Sequence, residues 1–207
     1  MKIKRNSANL ISFALLIMVC ASAFAYADVV KRNAGESAED FAKRNAPAQT
    51  AVSGKVVESP WNGKKTIFAF YETQPKDPND TVLEGFVFVP ADADSYERIH
   101  MHTFGVDGGT PQIESVFFAN ADKDPASELV VIVCWPQVHY DYSGNWYGTV
   151  ILDDIPAGTH PTELKYLEKV SEKVSGGCDC EFRDGRKPDK RFENAAQVKA
   201  GLKRLGY

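Results

Sequence analysis

The residues of this chain best placed to do chemistry lie in "FFANADKDPASELVVIVCWPQ", residues 117 to 137. Asn120, Asp122 and Asp124 occupy alternate positions, Ala126 follows, and Glu128 precedes an unbroken apolar run. Side-chain oxygens crowded onto one short turn repel one another unless a cation, backbone amides or water absorbs the charge. Counted from Asn120 as position one, the side chains fall at one, three, five and nine, and the Ala126 carbonyl at seven. A hard cation such as calcium takes oxygens at that spacing, which turns alternate groups inward while Ala121 and Lys123 point away. The metal ligands implied are Asn120, Asp122, Asp124, Ala126 through its carbonyl, and Glu128. The same residues also read as a polar turn with no ion, or as a catalytic carboxylate cluster. With no histidine or nucleophile beside them in sequence, an ion here has a structural role.

A second constellation is "HYDYSGNWYGTV", residues 139 to 150. Its aromatic density, with Ser143 and Gly144 expected at the apex between two strands, suits recognition of a cleft or a sugar, because aromatics give large contact area at little entropic cost. The candidate partner-binding residues are Tyr140, Tyr142, Ser143, Gly144, Trp146 and Tyr147. Alternation along a strand sends half of the aromatics to the opposite face, toward a core.

Catalytic motifs are scarce. Neither Gly-x-Ser-x-Gly, His-Glu-x-x-His nor a glycine-rich phosphate loop occurs. His100 and His102 share one face of an expected strand, with a polar sheet as the plain reading and a metal, in company with Cys178 and Cys180, as the other. Glu84, Glu114, Asp141 and Asp153 are candidates for a glycosidase-like carboxyl pair. Cys134 sits in an apolar run that suits a buried thiol. Cys178 and Cys180 can pair with each other, or either can reach Cys134.

The elements that must position these groups are mostly strands. "SAEDFAKR" predicts a short helix opened by Ser37 as its cap. Apolar, β-branched and aromatic runs follow at 64–72, 82–90, 98–104, 114–120, 128–135 and 146–154, each bounded by Gly, Pro, Asp or Asn, with "QPKDPND" as one of the turns. Such spacing indicates antiparallel sheet, and the run 129–135, apolar on both faces, belongs in the middle of one. Leu164, Leu167, Val170 and Val174 predict one amphipathic helix, and Ala195, Val198, Leu202 and Leu205 a second, with the charged loop "EFRDGRKPDKR" between them. The fold class expected is α+β: mainly antiparallel sheet, as a sandwich or propeller-like, with a short N-terminal helix and two C-terminal amphipathic helices.

The N-terminus sets the compartment. Lys2, Lys4 and Arg5, an apolar stretch and the triplet Ala23-Phe24-Ala25 read as a secretory signal peptide over residues 1–25, leaving 26–207 as a single β-rich domain, periplasmic or secreted. Of 24 basic and 28 acidic residues the signal removes three basic ones, so the remaining 21 against 28 give −7. That balance argues against a nucleic-acid partner and suits calcium or a basic protein. No stable membrane span is expected once the signal is cleaved.

The loop from Asn120 to Glu128, leading into an apolar strand, resembles the calcium loops of FG-GAP and VCBS-type β proteins, although Pro125 stands where those loops carry glycine. The acidic loop, the run from Ser143 to Tyr147 and the C-terminal amphipathic helix are together similar to periplasmic lysozyme inhibitors of the invertebrate-type group and to related calcium-binding immunity proteins. That resemblance implies a loop, matched by Ser143, Gly144 and Tyr147, that enters a hydrolase cleft and occupies its catalytic acid. The expected function is therefore binding rather than catalysis, as an inhibitor or immunity protein against a lysozyme-like hydrolase. The alternative is a small periplasmic hydrolase or a carbohydrate-binding module using residues 139–147.

Overall fold

Alternating apolar and polar residues build two antiparallel sheets in this 207-residue chain, described in a computed structural model over residues 27–73, 75 and 81–207. The signal peptide expected over 1–25 and nearly all of the turn at 74–80 lie outside the described residues. The first sheet holds β1 (Asp28–Lys31), β2 (Thr50–Trp61), β3 (Lys64–Thr73), β4 (Leu83–Pro90) and β5 (Ser95–Phe104), in the order β1-β5-β4-β3-β2. The second holds β6 (Gln112–Ala119), β7 (Glu128–Val138), β8 (Tyr142–Leu152) and β9 (Gly177–Phe182), in the order β6-β7-β8-β9. Three short helices complete the set: α1 (Ala38–Arg44), α2 (Glu168–Lys173) and α3 (Ala195–Leu205).

The sheets pack face to face as a sandwich. Phe68, Phe70, Val87 and Ile99 of the first sheet share one core with Leu129, Val131, Val133, Val150 and Leu152 of the second. The outer face of the second sheet is apolar too, and Val130, Ile132 and Ile151 are covered by Val170 and Val174 around α2 and by Val198 and Leu202 of α3. On the far side α1 lays Phe41 and Ala42 over Ile67, Ala69, Tyr71 and Phe88. β7 therefore alternates between two cores, which is why its sequence is apolar at every step from Leu129 to Trp135, and it is an interior strand of its sheet.

Helix α1 starts as the capping pattern predicts, with the Ser37 hydroxyl accepting from the Asp40 amide. Helix α3 is capped by Asn194 and closed by Gly206 in the left-handed conformation. Strands β1 and β2 precede the first expected run, and three further features differ from the expectation. The helix expected from Leu164 onward begins only at Glu168, because the backbone before it pairs instead with sheet: the His100 amide donates to Thr162, the Leu164 amide to His100, and the Asp153 amide to Lys165. Leu164 is drawn into the core between the sheets, away from Val170 and Val174. "GCDCEF" forms the edge strand β9, so the two C-terminal helices are separated by a strand as well as a charged loop. Ser143 and Gly144 lie inside β8, and the turn after β7 is His139–Asp141.

Candidate functional site

Strand β7 joins two unusual regions, one at each end. At its start, the loop after β6 folds on its own side chains: the Asp122 carboxylate accepts from the Asp124 amide at 2.8 Å and the Asp124 carboxylate from the Ala126 amide at 2.8 Å. Asn120 donates its side-chain amide to the Asp124 carbonyl at 2.7 Å and more distantly to the Ala126 carbonyl. The tip of the β2–β3 hairpin pins this loop from the other sheet. Trp61 Nε1 and Asn62 Nδ2 both donate to the Ser127 carbonyl, at 2.6 and 3.0 Å, and the Ser127 amide donates back to Asn62 Oδ1.

Glu128, the first residue of β7, has 0% of its surface exposed. Its Oε2 accepts from the Ala121 amide, and its Oε1 has no partner among the described residues. Antiparallel pairing sets Leu129 opposite Leu152, so the two residues after β8, Asp153 and Asp154, arrive beside Glu128. Carboxylate oxygens of Asp122, Glu128 and Asp153 lie within 4.8 Å of one another, and so do those of Asp124, Glu128 and Asp154. Burial pushes the Glu128 carboxyl up to about 7, against the Ala121 hydrogen bond and with added repulsion from Asp122 and Asp124. Burial, then the Asp124 and Asp153 charges, raise Asp154 as well. The cation in this cluster is Lys165, which holds Asp153 at 2.6 Å.

The structure thus brings Asp122, Asp124 and Glu128 together, while the Asn120 amide nitrogen and the Ala126 carbonyl are engaged with each other and with the loop backbone. Asp153 and Asp154 are additions that spacing within the loop does not reveal. The available signal was the hairpin itself. A turn centred on Tyr140 puts Asp153 opposite Glu128, whereas an apex at Ser143 and Gly144 would have set Glu128 against Thr159.

At the other end of β7 the hairpin projects Val138, 85% exposed, and Tyr140, 84% exposed. Its stalk is fixed by pairing of Val138 with Ser143 and by the His139 ring stacked on Tyr142 at 4.5 Å. Gly144 has a φ of 146°, and a Cβ there would sit 2.2 Å from the Asp179 carbonyl of β9. Trp146 and Tyr142 project on one face, and Tyr147 on the other, where it packs half-buried against the core under α3. Beside the exposed Trp146, a groove of about 540 Å³ is lined by Tyr142, Phe182, Arg186 and Arg191, with the Arg186 guanidinium 4.0 Å over the Phe182 ring.

The remaining candidates resolve simply. Cys178 and Cys180 are bonded to each other behind Trp146 and Gly144, and Cys134 is a free, buried thiol. His100 bonds Thr103, and His102 packs against Phe104 and Tyr166, with burial and then the neighbouring His100 lowering its pKa. Asp141 stands at the hairpin turn and Asp153 beyond the far end of the eleven-residue β8, a strand length apart, so these two cannot form a glycosidase pair. No helix among the described residues is long and apolar enough to cross a membrane. Comparison with protein-family profiles, with characterised proteins and with solved structures finds no match to this chain in any of the three.

Proposed function

We propose that this chain is an exported binding protein, periplasmic or secreted, that acts as an inhibitor or immunity protein by docking the β7–β8 hairpin into the cleft of a lysozyme-like cell-wall hydrolase. The observation that carries this reading is the tip: Val138 and Tyr140 are 85% and 84% exposed on a stalk held by sheet pairing on both sides of β8. Large apolar side chains presented on a rigid support bind with little loss of entropy, and they are costly to leave in water without a partner. Removal of the three basic residues of the candidate signal leaves an acidic chain, which favours encounter with a basic hydrolase. The test is titration of the purified protein into a panel of lysozyme-like enzymes, reading residual hydrolysis and complex size. A one-to-one complex with loss of hydrolysis, abolished in Tyr140→Ala, supports the reading. Undiminished hydrolysis and no complex with any member of the panel count against it.

The groove beside Trp146 favours a second reading, a carbohydrate-binding module. Tyr142, Trp146 and Phe182 offer ring faces, and Arg186 offers donors, in a depression of about 540 Å³ suited to a sugar. Retention on a glycan resin with no protein partner present, lost in Trp146→Ala but kept in Tyr140→Ala, would select this reading over the first.

A further inference from the structure

Glu128 poses a problem that its own sheet does not solve. A carboxylate with no exposed surface needs donors on both oxygens, and among the described residues only Oε2 has one, from Ala121. The groups nearest to it make matters worse, because Asp122 and Asp124 approach from the loop and Asp153 and Asp154 from the end of β8. Lys165 answers Asp153 from an exposed position and leaves the other carboxylates uncompensated by the ion pairs seen here. Glu128, with its unpartnered oxygen, belongs to two carboxylate triads at the junction of two loops, one with Asp122 and Asp153 and the other with Asp124 and Asp154.

We propose that this junction is a site for one divalent, oxygen-preferring cation, calcium, seated on Glu128 Oε1 and ligated by Asp122 and Asp124 from one loop and by Asp153 and Asp154 from the other. Hard cations of this kind take six to eight oxygens, and five carboxylates with water complete such a shell. The donor set contains neither histidine nor cysteine, which removes the preference that zinc or copper would need. The site differs from a linear calcium loop in a specific way: two of its ligands come from the two residues that follow the far strand of the β7–β8 hairpin, while the Asn120 side-chain nitrogen is donated to the loop's own backbone. Because Trp61 and Asn62 also grip Ser127, the ion ties together the β6–β7 loop, the end of β8 and the β2–β3 hairpin of the opposite sheet. This proposal does not depend on what the hairpin tip binds.

The experiment uses the purified protein, stripped with chelator and held near pH 8, titrated with calcium chloride by calorimetry and followed by thermal unfolding. The expected result is one calcium per chain and a midpoint raised by several degrees at saturation. Asp154→Asn, a substitution at a partly exposed position that keeps the side chain's shape, is expected to weaken calcium at least tenfold while leaving the midpoint in chelator within a degree or two. Glu128→Gln is expected to abolish binding and to raise the midpoint in chelator, since it removes the buried charge. Magnesium is expected to compete only weakly. Absence of both heat and a midpoint shift with calcium at about 10 mM, above the range of weak extracellular sites, overturns the proposal. So does calcium affinity unchanged in both Asp153→Asn and Asp154→Asn, which would confine the ion to the linear loop.

Discussion

At one end of β7 a carboxylate is sealed from solvent; about 34 Å along the same strand Val138 stands almost fully in it, as does Tyr140 in the turn just beyond. Charged side chains are almost never fully buried without a partner, and large apolar patches are seldom presented to water on a projecting tip. The two ends thus invert the usual distribution in opposite senses. The inversion at Glu128 is enclosed by backbone from two loops and a hairpin of the other sheet, so altering it should change stability. The inversion at Tyr140 is open to solvent, so altering it should change binding alone. Between them, the residues from Leu129 to Val133 are buried in two cores and hold both ends on one rigid strand.

The largest effect that tests this division is expected at Trp61. It is 4% exposed, packs against Phe68 and Phe118 at 5.9 and 6.2 Å, and donates to Ser127 beside the acidic cluster. Trp61→Ala removes that packing and one grip on the loop, and should cost about 3–5 kcal/mol in denaturant-induced unfolding. Calcium affinity should fall with it. A loss below about 1 kcal/mol would mean that the β2–β3 hairpin does not anchor the acidic end.

A smaller effect follows from pH. Burial holds the Glu128 carboxyl at about 7 in the folded protein, against an ordinary value of 4.5. A carboxyl whose pKa is raised on folding binds its proton more tightly when folded, so its contribution to stability is full below 4.5 and is lost as pH rises through 7. In chelator the protein should lose roughly 2–3 kcal/mol between about pH 5 and pH 8, and Glu128→Gln should flatten that profile. Calcium should restore the loss at the upper end. Chelated stability that rises over the same interval would show that Glu128 has found a donor, and the contrast between the two ends would lose its acidic half.

Which of these features could be read from the chain depended on whether their causes were local. The Ser37 cap of α1 and the β-branched runs of β3, β4, β5, β7 and β8 were legible because each announces itself within a few residues. The edge strands β2 and β9 were not. β2 carries Ser53, Gly54 and Lys55 at a bulge, and β9 is built around two cysteines and acids, so neither has the alternation that marks a half-buried strand. The extra turns expected ahead of α2 failed because Leu164 and Leu167 satisfy helical spacing while His100, Asp153 and Ile151 claim the backbone around them for sheet and turn pairing. In the acidic site, Asp122, Asp124 and Glu128 share a loop and could be found together. Asp153 and Asp154 enter only through the register of β7 on β8, which shifts by six positions when the turn is placed at Tyr140 instead of at Ser143 and Gly144.

Near the aromatic end the cysteines supply the next step down in magnitude. Cys178 and Cys180 are two residues apart, so their bond closes a very short loop and restricts the unfolded chain only slightly. Replacing both with serine should cost about 1.5 kcal/mol, read as a shift in denaturant midpoint with unchanged slope. Because Cys178 pairs with Trp146 and Cys180 with Gly144, the same variant should loosen the groove beside Trp146 more than the acidic cluster. Amide exchange that quickens equally at Asn120–Glu128 and at Tyr142–Tyr147 would mean that the ends of the hairpin are not independent.

The smallest expected effect on stability is also the most informative about function. Tyr140 lies in the turn after β7, 84% exposed, so Tyr140→Ala removes little buried area and should change unfolding free energy by no more than about 0.5 kcal/mol. Calcium binding at the far end of the strand should be untouched. If the tip is the docking element, the same substitution should weaken a hydrolase complex by 2 kcal/mol or more, about thirtyfold, because an aromatic anchor at the centre of an interface carries a disproportionate share of its energy. A large drop in stability would show that Tyr140 is held in the fold after all, and its exposure would no longer argue for a partner. A stable variant whose complex keeps its affinity would move the docking surface off the tip and onto the groove lined by Trp146, Tyr142 and Phe182, which Tyr140 does not line.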